Sequence, residues 1–349
     1  MLQVIRVVRV DQASRIGQEH AVAGLAERSD VGNGSAPTVA VLAPAPLLTV
    51  TIESSGGREE VHLHPGGQGV WIARLIANLE VEVVVCASFG GESGEVVKAL
   101  VEHWGIDLRA VPAEGWNGTY VHDRRSGVRQ PIAATDTPRR SRHEVDELYG
   151  TTFVTGLEAR TVVLGGPETA ALARGEVPEL IPYEVYTRLA RDLRTNSATV
   201  IADLSGPALD AATKGGLDLV KVSDEDLLVH GDVSEASVDA LAGVALDLAG
   251  RGAESVVVTR GDAPSIALLD GVFHEVHVPR VEPVDPRGAG DSFTAGVAAA
   301  LARGATLDDA VRLGTAAGTL NVARRGLGSG NRREIELLAR HVTITELTT

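Results

Sequence analysis

Residues 285 to 304 read DPRGAGDSFTAGVAAALARG, with two glycines and one acid directly before an apolar helical pattern. Glycines in such a turn let backbone N–H groups approach a ligand with no Cβ in the way. Phe293, Val297, Ala300 and Leu301 fall on one helical face, so a helix begins just after the turn. Its unpaired N–H groups and positive dipole end make an anion pocket. Asp291 then has two readings. It is either a base that takes the proton of a hydroxyl attacking a phosphoryl group, or a plain N-cap. Spacing alone does not separate them.

A second glycine turn, HPGGQGVWIARLIANLE, spans residues 64 to 80. Gly66, Gly67 and Gly69, with Gln68 among them, allow close backbone approach to a small polar ligand, or simply a tight connection. Val70, Ile72, Ala73, Ile76 and Leu79 line one stripe of the helix that follows.

The elements that position these turns alternate. Val-rich strands are expected at 38–44, 83–88, 161–166, 198–204, 217–222 and 254–260, with helices at 92–104, 182–195, 206–212, 234–251, 289–302 and 307–322 and a hairpin through 265–278. This rhythm predicts an α/β sandwich with a mainly parallel sheet covered on both faces. Strands at 47–64 and 119–132 alternate polar with apolar residues and break the rhythm, as a small β-sheet lid would. Residues 1–36 read as a loosely docked extension ending in SDVGNGSAP, and residues 37–345 as the main domain.

Net charge is −15, which disfavours nucleic acid or an anionic membrane surface. No apolar run is long enough to cross a membrane. Cys86 is the sole cysteine, so an internal disulfide and a cysteine zinc site are excluded, and a soluble cytoplasmic protein is expected. His62 and His64 share a strand face, but a metal pair is disfavoured for want of carboxylate or cysteine partners. No Gly-x-Gly-x-x-Gly follows the first strand and no Gly-Lys-Ser/Thr occurs, which disfavours a dinucleotide-dependent dehydrogenase and excludes a Walker-type NTPase.

The two turns, near opposite ends of an α/β chain with a lid beside the first, resemble the ribokinase-like (PfkB-type) carbohydrate kinases. The similarity is greatest to the phosphofructokinase and tagatose-phosphate kinase branch. GAGDSFTAGVAAAL looks like that family's C-terminal signature and PGGQGVWIARLIANL like its N-terminal one. LVKVSDEDL (219–227), VVVTRGDAPSIAL (256–268) and LGTAAGTLN (313–321) add to the likeness.

The resemblance implies an ATP- and Mg²⁺-dependent sugar kinase. Asp291 would be the general base, and the turn Gly288, Ala289, Gly290 and Asp291 the anion hole. Gly66, Gly67 and Gln68 would meet the sugar. Lys221, Ser223, Thr259, Gly261 and Asp262 would lie along ATP, with Gly318 and Asn321 near adenine and ribose. Asp226 would organise Mg²⁺ through water, as the shortened remnant of an Asn-x-x-Glu motif whose Asn is Ser223 here. Exposed lid edges suggest a lid-to-lid homodimer.

Departures gather on the sugar side. The family's sugar-gripping aspartate falls on Leu47, the Asn of its N-terminal signature on Trp71, and a lid arginine on Gly118. Arg124, Arg125, Arg129, Arg139, Arg140 and Arg142 cluster nearby, either as a replacement anion site or as a solvated basic face. Asp285-Pro286-Arg287 replaces Asp-Thr-Thr/Val before the catalytic turn, which disturbs any monovalent-cation site built there. These changes motivate a rival reading: a nucleotide- or sugar-binding protein of kinase ancestry with little turnover.

Overall fold

The structure, a computed structural model, describes residues 38–167, 179–324 and 326–347. The extension expected over residues 1–36 lies outside them. Strand β1 (Thr38–Ala43) leads into a hairpin, β2 (Leu47–Ser55) and β3 (Arg58–Gly66), then helix α1 (Gln68–Asn78). There follow β4 (Glu82–Phe89), α2 (Gly91–His103), β5 (Asp107–Pro112), β6 (Thr119–Asp123), β7 (Gln130–Thr135) and α3 (Arg142–Glu158). The middle of the chain forms β8 (Thr161–Gly165), α4 (Glu184–Thr195), β9 (Thr199–Asp203), α5 (Gly206–Gly215), β10 (Leu217–Ser223) and α6 (Asp224–His230). The last part forms α7 (Val238–Arg251), β11 (Ala253–Arg260), β12 (Ala263–Leu269), β13 (Val272–His277), α8 (Ala289–Ala302), α9 (Leu307–Val322), α10 (Arg332–Ala339) and β14 (Thr343–Glu346).

Ten strands make one sheet, ordered β14-β13-β12-β11-β10-β9-β8-β1-β4-β5. It is parallel from β11 to β5, with β12, β13 and β14 added antiparallel at one edge. The chain runs outward from β1 to β4 and β5, then returns to β8 and proceeds the other way. Strand order therefore reverses between β1 and β8. Open α/β sheets bind ligands beyond the strand C-termini at such a point.

Alternation along each strand feeds two apolar layers. Val39 and Val41 pack with Ile72 and Ile76 of α1 and with Phe293 and Val297 of α8, while Ala40 and Leu42 pack with Leu189 and Leu193 of α4. Burying each large aliphatic side chain contributes about 1.5–3 kcal/mol, which holds the helices to both faces. Helix α8 is buried on nearly every side. Its small residues are required by close packing: a Cβ on Gly296 would lie 2.8 Å from Gly314 Cα of α9.

Two differences from the sequence expectations have local causes. The helix expected from 234 begins at Val238 because the Ser237 side chain accepts from Ala240 N and caps it there. Helix α3 was not anticipated, since its Thr- and Gly-containing sequence shows no clear apolar stripe. Its signal is the capping box of Ser141 and Glu144.

The lid is a separate four-stranded sheet, ordered β3-β2-β6-β7. Pairing register places Thr49, Thr51, His62, His64, Tyr120 and His122 on one face and Val50, Ile52, Val61, Leu63 and Val121 on the other. Val61 and Leu63 leave 48% and 38% of their surface exposed, so the apolar face is not fully covered.

Candidate active site

The N-cap of α8 is Gly288, in the left-handed region at φ 70°, and no side chain caps the helix. Glycine is needed there because a side chain at that φ is strained, and a Cβ would also meet Leu327 Cδ2 at 2.8 Å. Asp291 is therefore not the cap; it stands in the first helical turn. The N–H groups of Ala289, Gly290 and Asp291 are first-turn donors, to which the helix itself offers no i−4 carbonyl. Residues 288–291 are half-buried, while the helix is buried from Ser292 to Ala300. The turn is thus the more open end of this helix's first nine residues.

A charged group lies directly beneath it. Lys221 and Asp203 are register partners on adjacent strands β10 and β9. Lys221 Nζ donates to Asp203 Oδ1 at 3.1 Å, and Thr294 Oγ1 of α8 donates to Asp203 Oδ2 at 2.6 Å. A Cβ added to Gly290 would sit 2.5 Å from Lys221 Nζ, so glycine keeps the ammonium close under the anion pocket. Burial opposes the charged lysine, but the carboxylates of Asp203, Asp291 and Asp226 outweigh it and hold the ammonium above its ordinary value. Asp203 was not singled out from the sequence. Its signal was a lone acid at the end of an otherwise apolar strand.

The residues assigned to ATP divide into two groups. Ser223, Asp226, Thr259, Gly261 and Asp262 lie at or just beyond the C-terminal ends of β10 and β11 and are half-buried or exposed. Asp226 closes a capping box with Ser223, accepting from its Oγ at 2.5 Å, so the shortened motif folds back on itself. Lys221, Gly318 and Asn321 are buried instead. A Cβ on Gly318 would lie 2.9 Å from Ala289 O, so this glycine lets α9 approach the turn. Asn321 donates to Arg287 O at 2.6 Å and accepts from Gly328 N at 3.3 Å, tying the approach segment to the loop after α9.

On the sugar side, Gly67 caps α1 at φ 101°, packed against Ala45 O. Gln68 Oε1 accepts from Gly166 N at 2.8 Å, bridging the switch point between β1 and β8. Leu47 lies over Gly66, where a Cβ would meet its Cδ1 at 2.7 Å. An apolar group thus covers the turn where a carboxylate would reach hydroxyls. Trp71 is 8% exposed and packs on Trp104, with ring centroids 5.7 Å apart, which leaves little of it for a ligand.

Gly118 donates to Thr137 Oγ1 at 2.8 Å, and a Cβ there would lie 2.9 Å from Thr135 O. The backbone has closed over the arginine position. Asn117, unnoticed in the sequence, is 1% exposed and binds Pro46 O, Ser88 O and Gly90 N, fixing the entry to β2.

The arginine cluster separates. Arg125 pairs with Asp123 and Glu59, Arg139 with Glu179, and Arg142 with Asp146. Arg140 is buried and donates from Nε to Ser88 Oγ at 3.0 Å. Arg129 lies over the Tyr120 ring at 4.7 Å, and Arg124 is 3.8 Å from Glu53. These last two reach toward the turn: burial pushes the Asp285 carboxyl up, and the positive fields of Arg124 and Arg129 oppose it. They act likewise on His122, which burial and those arginines push down to about 4. Among the described residues no three His, Cys, Asp or Glu side chains form a metal cage, the His62–His64 pair included. A cleft of about 440 Å³ elsewhere is lined by Asp210, Asp232 and Asp247, whose charge opposes phosphate, and neither glycine turn borders it.

The model of the pfkB family of carbohydrate kinases matches residues 49–334. The 1-phosphofructokinase of Bacillus subtilis (strain 168) is 25% identical over 284 residues, covering 81% of this chain and 89% of that protein. The structure of Escherichia coli phosphofructokinase-2 in complex with potassium superposes with a TM-score of 0.73 at 24% identity, covering 87% of this chain and 98% of that one. Thermotoga maritima ribokinase superposes with a TM-score of 0.65 at 19% identity, covering 87% and 99%. The sandwich and its lid are a ribokinase-like fold, and the chain belongs to the pfkB family of carbohydrate kinases.

Proposed function

We propose that this sugar kinase moves the γ-phosphoryl group of ATP to a hydroxyl of a sugar or sugar phosphate, with Asp291 as general base. The observation that supports this reading is the position of Asp291: in the first turn of α8, directly after the glycine cap and within the field of buried Lys221. The acceptor hydroxyl passes its proton to Asp291 as its oxygen attacks phosphorus. The N–H groups of Ala289, Gly290 and Asp291 receive charge growing on the transferred group, and Lys221 supports them from below. A loose transition state asks little of the base, so an ordinary carboxylate suffices. Thr259, Gly261 and Asp262 border the nucleotide, while Gly318 and Asn321 shape the wall behind it.

The residues present suit Mg²⁺ that arrives with ATP and keeps its waters, since scattered carboxylates such as Asp226 replace a cage. The ion supplies neutralisation of phosphate charge. A monovalent ion, such as the potassium held by the E. coli relative, does not suit this chain, because both Asp285 oxygens are taken by Arg287. The fields of Arg124 and Arg129 favour an acceptor that already carries an anionic group. The half-open apolar lid face supports a lid-to-lid homodimer, and an ATP-dependent reaction is in keeping with a cytoplasmic location.

A coupled ADP-release assay across sugars, sugar phosphates and nucleosides tests the reading, with the product identified by mass spectrometry. Turnover is expected with at least one anionic acceptor. Leu47 over Gly66 and the sealed Gly118 favour the rival, a binding protein of kinase ancestry, and tight ATP binding with no turnover on any acceptor would establish it.

A further inference from the structure

Asp285 stands immediately before the phosphate turn, and its carboxylate is chelated by the residue two positions on. Arg287 Nε donates to Oδ1 at 2.9 Å and Nη2 to Oδ2 at 2.5 Å, a bidentate fork, and Arg287 N reaches Oδ1 at 3.3 Å. Pro286 fixes the backbone between them. Asp285 keeps 16% of its side-chain surface and Arg287 40%, so the carboxylate is the more buried partner.

The carbonyls around it are also committed. Val322 O accepts from both Val284 N and Asp285 N, at 2.9 and 3.1 Å. Arg287 O accepts from Asn321 Nδ2 at 2.6 Å. A hard cation needs several converging oxygens with lone pairs to give. Here the carboxylate has given its two oxygens to a guanidinium, and the Val322 and Arg287 carbonyls already serve N–H donors. The donor set does not fit an alkali ion.

The positive charge is nevertheless present, and it is covalently attached. We propose that the Arg287 guanidinium takes the place of a monovalent cation beside the phosphate turn, so that phosphoryl transfer by this chain does not respond to potassium. The fork pins Asp285, Pro286 and Arg287 as one closed loop. Asn321 then ties that loop to the end of α9 and, through Gly328, to the loop beyond. Gly288 follows directly, so the cap of α8 inherits its position from the fork. A tethered guanidinium has no binding equilibrium, so its charge stays in place at every salt composition.

This inference rests on the kinase reading, and its test keeps the two apart. Wild type, Arg287→Thr and Arg287→Lys are compared in potassium, sodium and tetramethylammonium chloride at equal ionic strength, by ADP release and by thermal melting. Wild-type rates should agree within about twofold across the three salts, because screening is matched. Its melting temperature should not rise in potassium.

Arg287→Thr removes the fork and frees the carboxylate. It should lose about tenfold or more in rate in tetramethylammonium. Potassium should restore part of that loss and raise the melting temperature, as binding to the native state must. Arg287→Lys keeps a charge without the fork, so it should stay potassium-blind while turning over more slowly. Potassium activation or stabilisation of wild type would overturn the inference, as would an Arg287→Thr variant indifferent to potassium in both measurements. If no acceptor is turned over, the kinase reading fails, but the melting comparison still decides whether wild type binds potassium.

Discussion

The two glycine turns each cap a helix with a glycine at positive φ and differ in what surrounds them. At the turn before α8 the first-turn N–H groups, the Lys221 ammonium paired with Asp203, and the Asp285–Arg287 fork all converge. At the turn before α1 the backbone geometry is kept, with Gly67 left-handed and Gln68 bridging to β8, but the side chains that would grip a sugar are missing. Leu47 covers Gly66, and the Thr135–Thr137 backbone closes over Gly118. At the α8 end the turn keeps its shape, and the changes fall beside it, at Asp285-Pro286-Arg287 and at Ser223 and Asp226. Acceptor recognition rests on a few lid residues and can be rebuilt without touching the fold.

Substitutions at each end sharpen this contrast. The largest effect is expected from Lys221→Met, which leaves Asp203 buried and charged without its partner. The loss should be about 3–5 kcal/mol in a urea melt, and adding Asp203→Asn should recover part of it. A small loss would mean that the floor of the anion pocket is not held by this pair. Gly118→Arg should cost about 1–3 kcal/mol, because its Cβ must displace the Thr135 carbonyl, and it should bring no new activity on sugar phosphates. A gain in activity would show that the lid is more plastic than the packing indicates.

Leu47→Asp returns a carboxylate to the first turn. It should shift the acceptor KM by about tenfold and leave the ATP KM unchanged, since the change is confined to one end. Movement of the ATP KM would break the division between the two regions.

The smallest effect concerns pH. His122 is neutral in the folded lid, with its pKa pushed from 6.5 down to about 4 by burial and then by Arg129, Arg124 and His64. The unfolded chain binds the proton more readily, so the lid's contribution is complete above about pH 6.5 and lost as pH falls toward 4. Protection factors of lid amides, each rate taken against its intrinsic rate at the same pH, should fall over that window, and His122→Gln should flatten the dependence.

Much of the fold was legible because its helices and strands keep strict periods. The bounds 289–302 and 307–322 of α8 and α9 match the periodicity, since small apolar residues there follow the 3.6-residue repeat that close packing demands. The site was legible where chemistry needs a backbone shape, as in both glycine turns. Contacts made by one side chain across distant segments were not. Asp203 and Lys221 lie 18 residues apart and meet only because β9 and β10 are neighbours. Asn117 joins Pro46, Ser88 and Gly90, a link no local pattern announces. The Asp285-Pro286-Arg287 sequence stood out as unusual, but only its geometry reveals a closed fork.

Asp291 remains the point on which the account turns. Steady-state kinetics of Asp291→Asn against wild type, with ATP and the best acceptor each varied, test it directly. Loss of a general base predicts a fall in kcat of about 10²–10⁴-fold with both KM values nearly unchanged and the melting temperature intact. A variant that keeps most of its kcat, or one whose defect is a loss of stability, would contradict the assignment and return Asp291 to the role of a helix-terminal acid.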